Sequence, residues 1–223
     1  MLRVHELHLR QRAVRTRGSF LEGFRYVWRR PDLKAVLFML FLIGTFGLNF
    51  PIFISTMSVT VFHAGAHQYG LLSSIMAIGS VVGALLAARR DKPRMGVLVV
   101  GASVFGAGCA LAALMPGYWL FGMTLIVVGV AAQTFTTTVN SWVQLSTEPA
   151  MRGRLLALLL AILLGCTPMG APLVGWVADA FGARWAMGVA ALSGLAAAIV
   201  GWRYLSLYHG PSQVGAFQEN PEP

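Results

Sequence analysis

Six apolar runs, each long enough to cross a lipid bilayer, constrain this chain more than any other feature of its sequence. They cover about residues 35–57, 68–88, 95–115, 118–142, 155–177 and 185–204. A helix needs roughly 20 apolar residues to span the hydrocarbon core. Backbone groups in lipid must be satisfied within their own segment, so each run is predicted to be a helix rather than an open strand. The sequence therefore predicts an all-α membrane protein with six transmembrane helices.

The distribution of charge supports this topology. Only 11% of the 223 residues are charged, whereas soluble domains carry about 25%. The formal net charge of +9 could suggest a nucleic-acid partner, but lysines and arginines gather on the cytoplasmic side of membrane proteins. All seventeen lie on one side of the six runs except Arg184. We therefore expect a multi-pass protein of the plasma or inner membrane, with the lipid bilayer as partner, no nucleic acid, and both termini cytoplasmic. The loop arginines on that side are Arg89, Arg90, Arg94, Arg152 and Arg154.

The polar segments divide the chain into further regions. Residues 1–18 form a basic cytoplasmic tail without the continuous apolar core of a secretion signal. In "SFLEGFRYVWRR", Ser19 and Glu22 have the spacing of a capping box, and apolar residues fall on one face. Residues 19–31 are therefore predicted to form an amphipathic helix at the membrane interface. Residues 32–205 form the six-helix domain, and residues 206–223 are predicted to be a disordered cytoplasmic tail.

Three of the six runs, the first, second and fifth, carry residues typical of close-packed or broken helices. Proline inside a helix removes a backbone hydrogen bond and bends the axis, and small residues let helices approach closely in lipid. The second run carries small residues at intervals of three or four, from Gly70 to Ala87. Helices of this kind are common in transporters. The positions predicted to pack or bend helices are Pro51, Gly83, Gly165, Pro168, Gly170, Pro172 and Gly175.

The fourth run contains the unusually polar stretch "QTFTTTVNSWVQ". One row of its polar residues recurs at i, i+4, i+7 and i+11 within an arc of about 60°, and a second row lies beside it. Hydrogen bonding between helices explains such polarity, and so does a face that lines a cavity. We favour the cavity, because two adjacent rows exceed what one helix contact requires. The first row is Gln133, Thr137, Asn140 and Gln144, and the second is Thr134, Thr138 and Ser141.

Acidic and basic residues are absent from the middle of the six runs. A proton relay normally needs Asp, Glu or His within the membrane, so a coupling residue would lie elsewhere or transport would proceed without one. Cys109 and Cys166 have no metal-binding spacing, and His63 with His67 supplies only two ligands. No motif pairs a nucleophile with an acid or base. We expect no metal, no cofactor and no enzymatic activity.

Four stretches of the sequence resemble the C-terminal six-helix half of a major facilitator superfamily transporter. They are "EGFRYVWRRPDLK", "GALLAARRDKPR", "EPAMRGRLLAL" and "GCTPMGAPLVGWVADAFGARW". The last two are similar to the enterobactin-exporter-like branch of drug and siderophore efflux proteins. In the second stretch Ala87 stands where the family's loop signature has an Asp, so the gating role of that acid is not carried over.

The resemblance implies half of a twelve-helix fold with an internal repeat of three plus three helices. It places the first polar row in the central cavity, together with Asn49 of the first run. The implied function is secondary active transport, with efflux of amphipathic small molecules or siderophores by alternating access. Its partners would be the small-molecule substrate and a missing N-terminal six-helix half, or a second copy of the chain. The alternative is a non-transporting six-helix half that assembles with or scaffolds a partner protein.

Overall fold

The computed structural model describes residues 19–90 and 93–208. Within these ranges the chain is helical apart from short turns, with no strand, so the predicted all-α class is confirmed. The basic tail predicted at residues 1–18 lies outside the described residues. The helices are α1 (Ser19–Arg29), α2 (Pro31–Leu42), α3 (Phe50–Thr56), α4 (Ala66–Ala88), α5 (Met95–Leu114), α6 (Tyr118–Ser146), α7 (Pro149–Phe181) and α8 (Ala183–Tyr208).

Six helical spans in the described part are long and apolar enough to cross a membrane, which confirms the predicted number. Most extend beyond the predicted runs, because a helix continues past the hydrocarbon into the polar interface. The last span continues to Tyr208, three residues into the tail predicted from residue 206, and residues 209–223 lie outside the described part. The spans are Pro31–Val61, Ala66–Ala88, Met95–Leu114, Tyr118–Ser146, Met151–Phe181 and Ala183–Tyr208.

The first span is interrupted at its middle. A π-helical turn over Ile43–Gly47 follows α2, and a second one over Met57–Val61 follows α3. Between the first turn and α3, the side-chain amide of Asn49 donates a hydrogen bond of 2.7 Å to the carbonyl oxygen of Thr45. Pro51 lies in the first turn of α3, where a missing N–H costs nothing. The predicted break is therefore present, and the Asn49 side chain supplies a donor to the Thr45 carbonyl oxygen beside it.

The second and fourth spans are packed backbone to backbone. A Cβ added to Gly79 would lie 2.3 Å from the carbonyl oxygen of Ile126, and one added to Gly83 would lie 2.5 Å from that of Val130. Both glycines are buried, whereas Gly70 is exposed and has no atom within 4 Å of its Cβ position. The closest contact with α6 is therefore made by a row that contains Gly79 and Gly83. This row lies beside the stripe expected from Gly70 to Ala87. α5 and α8 approach each other similarly at Gly106.

Burial differs sharply among the spans. Only 17% of the central apolar window is buried in the second and in the fifth span, against at least half in each of the other four. Successive spans are joined by short loops, so their ends alternate between two sides of the bundle. We call the side that holds the 89–94 and 147–148 loops the basic end. There, Arg154 at the start of α7 forms a salt bridge with Glu22 of α1.

Candidate functional site

A groove of about 400 Å³ runs between α6 and α7. Its two walls differ in chemistry, because α6 contributes amides and hydroxyls while α7 contributes leucines. The groove brings together four of the five predicted cavity residues. The α6 wall consists of Gln133, Thr136, Thr137, Asn140 and Gln144, and the α7 wall of Leu156, Leu159, Leu160 and Leu163.

The amides on the α6 wall are only partly paired. Gln144 donates from Nε2 to Oδ1 of Asn140 at 2.9 Å, and Gln133 donates from Nε2 to the Thr137 hydroxyl at a longer 3.4 Å. Each pair is four residues apart, so both bonds run along the helix surface. The side-chain oxygens Oε1 of Gln133 and Gln144 and the side-chain nitrogen Nδ2 of Asn140 have no partner among the described residues. The groove therefore offers both acceptor and donor groups to a bound molecule.

The second polar row of α6 begins against α4 rather than in the groove. The Thr134 hydroxyl donates to the carbonyl oxygen of Gly83 on α4 at 3.3 Å. Thr138 donates to the carbonyl oxygen of Thr134 at 2.6 Å, and both threonines are buried. Helix packing and bonding within α6 therefore account for the Thr134 and Thr138 hydroxyls, whereas the first row lines an open groove. Sequence periodicity could not separate the two, because it does not show which neighbour each face meets.

Asn49 does not line the groove. Its side chain is 3% exposed, and its amide bonds to the interrupted first span. This region is nevertheless adjacent to α7, because the Thr167 hydroxyl donates to the Gly44 carbonyl oxygen at 3.0 Å. Thr167 was not singled out from the sequence, since its contact depends on the break in a distant helix.

The predicted packing and bending positions on α7 behave differently from one another. A Cβ added to Gly170 would lie 1.7 Å from the carbonyl oxygen of Thr45, so α7 meets the first span there. Gly165 and Gly175 have no atom within 4 Å of their Cβ positions. The helix continues through Pro168 and Pro172 to Phe181.

The leucine wall on α7 was not predicted from the sequence. Its four members recur at intervals of three, one and three residues, which is the stripe expected on one helix face. That pattern was visible in "LLALLLAILL". The pattern does not identify a groove by itself. Every face of a membrane span is apolar, so apolar periodicity cannot show which face lines a cavity.

Charged groups lie at the helix ends and away from the groove. None of the groove-lining residues is ionisable. The acidic residues of the described part are Glu22, Asp32, Glu148 and Asp179, each within a few residues of a helix terminus, and no group of three possible metal ligands occurs there. Of the predicted loop arginines, Arg154 pairs with Glu22, whereas Arg89, Arg90, Arg94 and Arg152 are exposed and form no salt bridge in the described part.

This arrangement suits one kind of ligand chemistry. A neutral hydrogen-bonding wall opposite an apolar wall can hold a small amphipathic molecule by orientation and burial.

Comparison with known proteins gives one family: the model of the Major Facilitator Superfamily matches residues 36–222. No curated protein matches the chain significantly, and neither does a solved structure.

Proposed function

Because the chain belongs to the major facilitator superfamily, whose model covers residues 36–222, it is a membrane transport protein, and we propose that the α6–α7 groove is one wall of its substrate path. The observation that carries this proposal is the convergence of Gln133, Thr137, Asn140 and Gln144 on one open groove. In addition, α7, which forms the leucine wall of the groove, contacts the interrupted first span through the hydrogen bond from Thr167 to Gly44. Broken helices near a polar cavity are a recurring feature of transporter sites.

The substrate proposed is an amphipathic small molecule. The groove has no charged lining residue, so it does not demand a substrate of fixed charge, and its leucine wall favours apolar surface. Export rather than import is proposed from the resemblance of the 148–185 segment to siderophore and drug efflux proteins. Movement would follow alternating access, in which the groove opens to one side of the membrane at a time.

The opposite wall of the path is proposed to come from another six-helix unit. The second and fifth spans are the two with little buried surface, and the groove borders the fifth. A substrate site between two halves of a twelve-helix transporter would use such faces. The unit that covers them is an N-terminal half or a second copy of this chain. A scaffolding role without transport would use the same faces, so transport itself must be measured.

The test is export of ethidium and rhodamine dyes from cells that lack their own dye exporters. Gln133→Ala and Asn140→Ala each remove a hydrogen-bonding group from the groove. We expect each to weaken dye binding by the purified protein about two- to tenfold, the range of one hydrogen bond, and to slow export. Gln68→Ala removes an amide that caps the start of α4, away from the groove, and should leave both unchanged.

Unchanged binding and export in the two groove variants, at normal protein levels, would contradict the assignment of the groove. A wild-type protein that is present in the membrane and exports none of the dyes would favour the scaffolding alternative if it also fails to bind them.

A further inference from the structure

Two further cavities of different polarity adjoin each other at the basic end, and one of them shares Thr137 with the α6–α7 groove. The first is an apolar groove of about 290 Å³ where α4, α5 and α6 meet. The second, which we call the polar cleft, has a volume of about 200 Å³ and a mixed lining that contains Arg90 and hydroxyls of α6. Arg90 and Val97 line both cavities, so the two are adjacent.

The apolar groove is long and apolar enough to hold part of one hydrocarbon chain. Val97, Val100 and Val104 recur along one face of α5, over about 10 Å at 1.5 Å per residue. The groove opens outward, because Val100 is 61% exposed and Leu86 is 43% exposed. The hydroxyl on its floor, that of Thr134, donates to Gly83. Nothing on the floor therefore requires a polar ligand.

The polar cleft offers groups suited to an anionic headgroup. The Thr137 and Ser141 side chains line it beside Arg90, and Ser141 has no hydrogen-bond partner in the described part of the chain. Arg90 forms no salt bridge with any described residue. The loop "RRDKPR" carries a net positive charge even when Asp91 is counted. An unpaired guanidinium with nearby hydroxyls is well suited to bind a phosphate by charge-assisted hydrogen bonds.

We propose that these two cavities together form a binding site for one anionic phospholipid of the leaflet at the basic end. One acyl chain lies in the α4–α5–α6 groove, and the phosphate binds Arg90 with the hydroxyls of the polar cleft. A lipid is the occupant because the groove opens to the hydrocarbon beside exposed valines, while the cationic group stands at the headgroup end. Arginine side chains near the ends of spans reach this level of the bilayer.

Two pairs of matched variants separate this site from ordinary surrounding lipid. Arg90→Gln removes the charge that the proposal uses, and Arg94→Gln removes the same charge from the same loop outside both cavities. Gly96→Phe fills the groove at a position where an added Cβ meets open space, and Gly188→Phe makes the same change on α8, also in open space. Neither glycine variant is expected to unfold the protein.

The experiment is a titration of the purified protein with phosphatidylglycerol or phosphatidylcholine, with the first bound lipid counted by native mass spectrometry. We expect the wild type and Arg94→Gln to bind the first phosphatidylglycerol about tenfold more tightly than phosphatidylcholine, as a charge-assisted hydrogen bond provides. Arg90→Gln should lose this preference. Gly96→Phe should weaken the binding of both lipids, and Gly188→Phe of neither.

Three results would overturn the proposal. Equal effects of the two arginine variants would show a general attraction to the basic end rather than a site. Unchanged lipid binding by Gly96→Phe would show that no chain enters the groove. Displacement of phosphatidylglycerol by millimolar glycerol 3-phosphate would show that a soluble anion suffices and that the acyl chain contributes nothing.

Discussion

Asn49 shows how a polar side chain is accommodated inside a spanning helix. Its amide bonds to the Thr45 carbonyl oxygen, at the point where the first span leaves α2 and its π turn and has not yet entered α3. Burial of an unpaired carbonyl in this setting is costly, so the side chain replaces a backbone donor. The hydroxyls of Thr134, Thr136 and Thr138 on α6 likewise bond to backbone carbonyls. Polar groups that lack such partners, such as the Asn140 side-chain nitrogen, remain for ligand binding.

We predict that Asn49→Leu destabilises the protein. The substitution keeps the volume roughly constant and leaves the Thr45 carbonyl unsatisfied, which costs about 1–3 kcal/mol. The midpoint of thermal unfolding in detergent measures the effect. Thr60→Val removes an exposed hydroxyl that bonds to its own helix and should shift that midpoint little. Equal shifts in the two variants would mean that Asn49 has no special role at the break.

Gly170 supports a second prediction at the residue scale. An alanine there would overlap the Thr45 carbonyl oxygen, so α7 must move away from the first span. Overpacking of this kind costs about 1–3 kcal/mol. Gly175→Ala, on the same helix with open space around it, should be neutral or stabilising by up to about 1 kcal/mol. Thermal unfolding of the two variants should therefore diverge, and parallel behaviour would exclude the close contact.

At the scale of helices, the sequence predicts what depends on hydropathy and local chemistry. The six spans follow from apolar length, and the break in the first span follows from Asn49 and Pro51 within a glycine-containing run. The π turns were not predictable from hydropathy or capping signals, because such turns are rare. The division of the α6 polar rows also needed tertiary information, since only the position of α4 assigns Thr134 to packing.

The contact between α1 and α7 gives a prediction about elements. Val27 of α1 is 6% exposed, whereas the Glu22–Arg154 pair is partly exposed and therefore contributes at most about 1 kcal/mol. Val27→Asp should release α1 from the bundle, and hydrogen exchange of residues 19–29 should become much faster. Glu22→Gln should change that exchange only slightly. A larger effect of Glu22→Gln would show that charge rather than burial holds α1.

At the scale of the whole molecule, two of the six spans present large exposed apolar faces. Ile78 on α4 is 61% exposed, and Leu164 on α7 is 74% exposed. The third and sixth spans also expose apolar residues, but they pack against each other through Gly106 and Gly194 and are half-buried in their central windows. We therefore expect protein to cover the faces of α4 and α7 that hold Ile78 and Leu164, and lipid to cover the outer faces of α5 and α8.

Photo-crosslinking tests this arrangement. A photo-crosslinking amino acid at Ile78 or Leu164 should capture protein in native membranes, and mass spectrometry of the product identifies a second copy or another helical unit. The same amino acid at Ile199 of α8, which is 61% exposed, should capture mainly lipid. Similar protein capture at all three positions would contradict the assignment of the exposed faces.

Water access to the α6–α7 groove tests most directly whether the groove is a transport path. The measurement is labelling of Thr136→Cys by a membrane-impermeant maleimide, in a protein whose Cys109 and Cys166 are replaced by alanine. Thiolate is the reactive form and requires water, so Thr136→Cys should react and Ile199→Cys, at similar depth from the same end, should not. Dye substrate should slow the Thr136→Cys reaction. Equal reactivity at the two positions, or a rate unaffected by dye, would contradict a substrate path along α6.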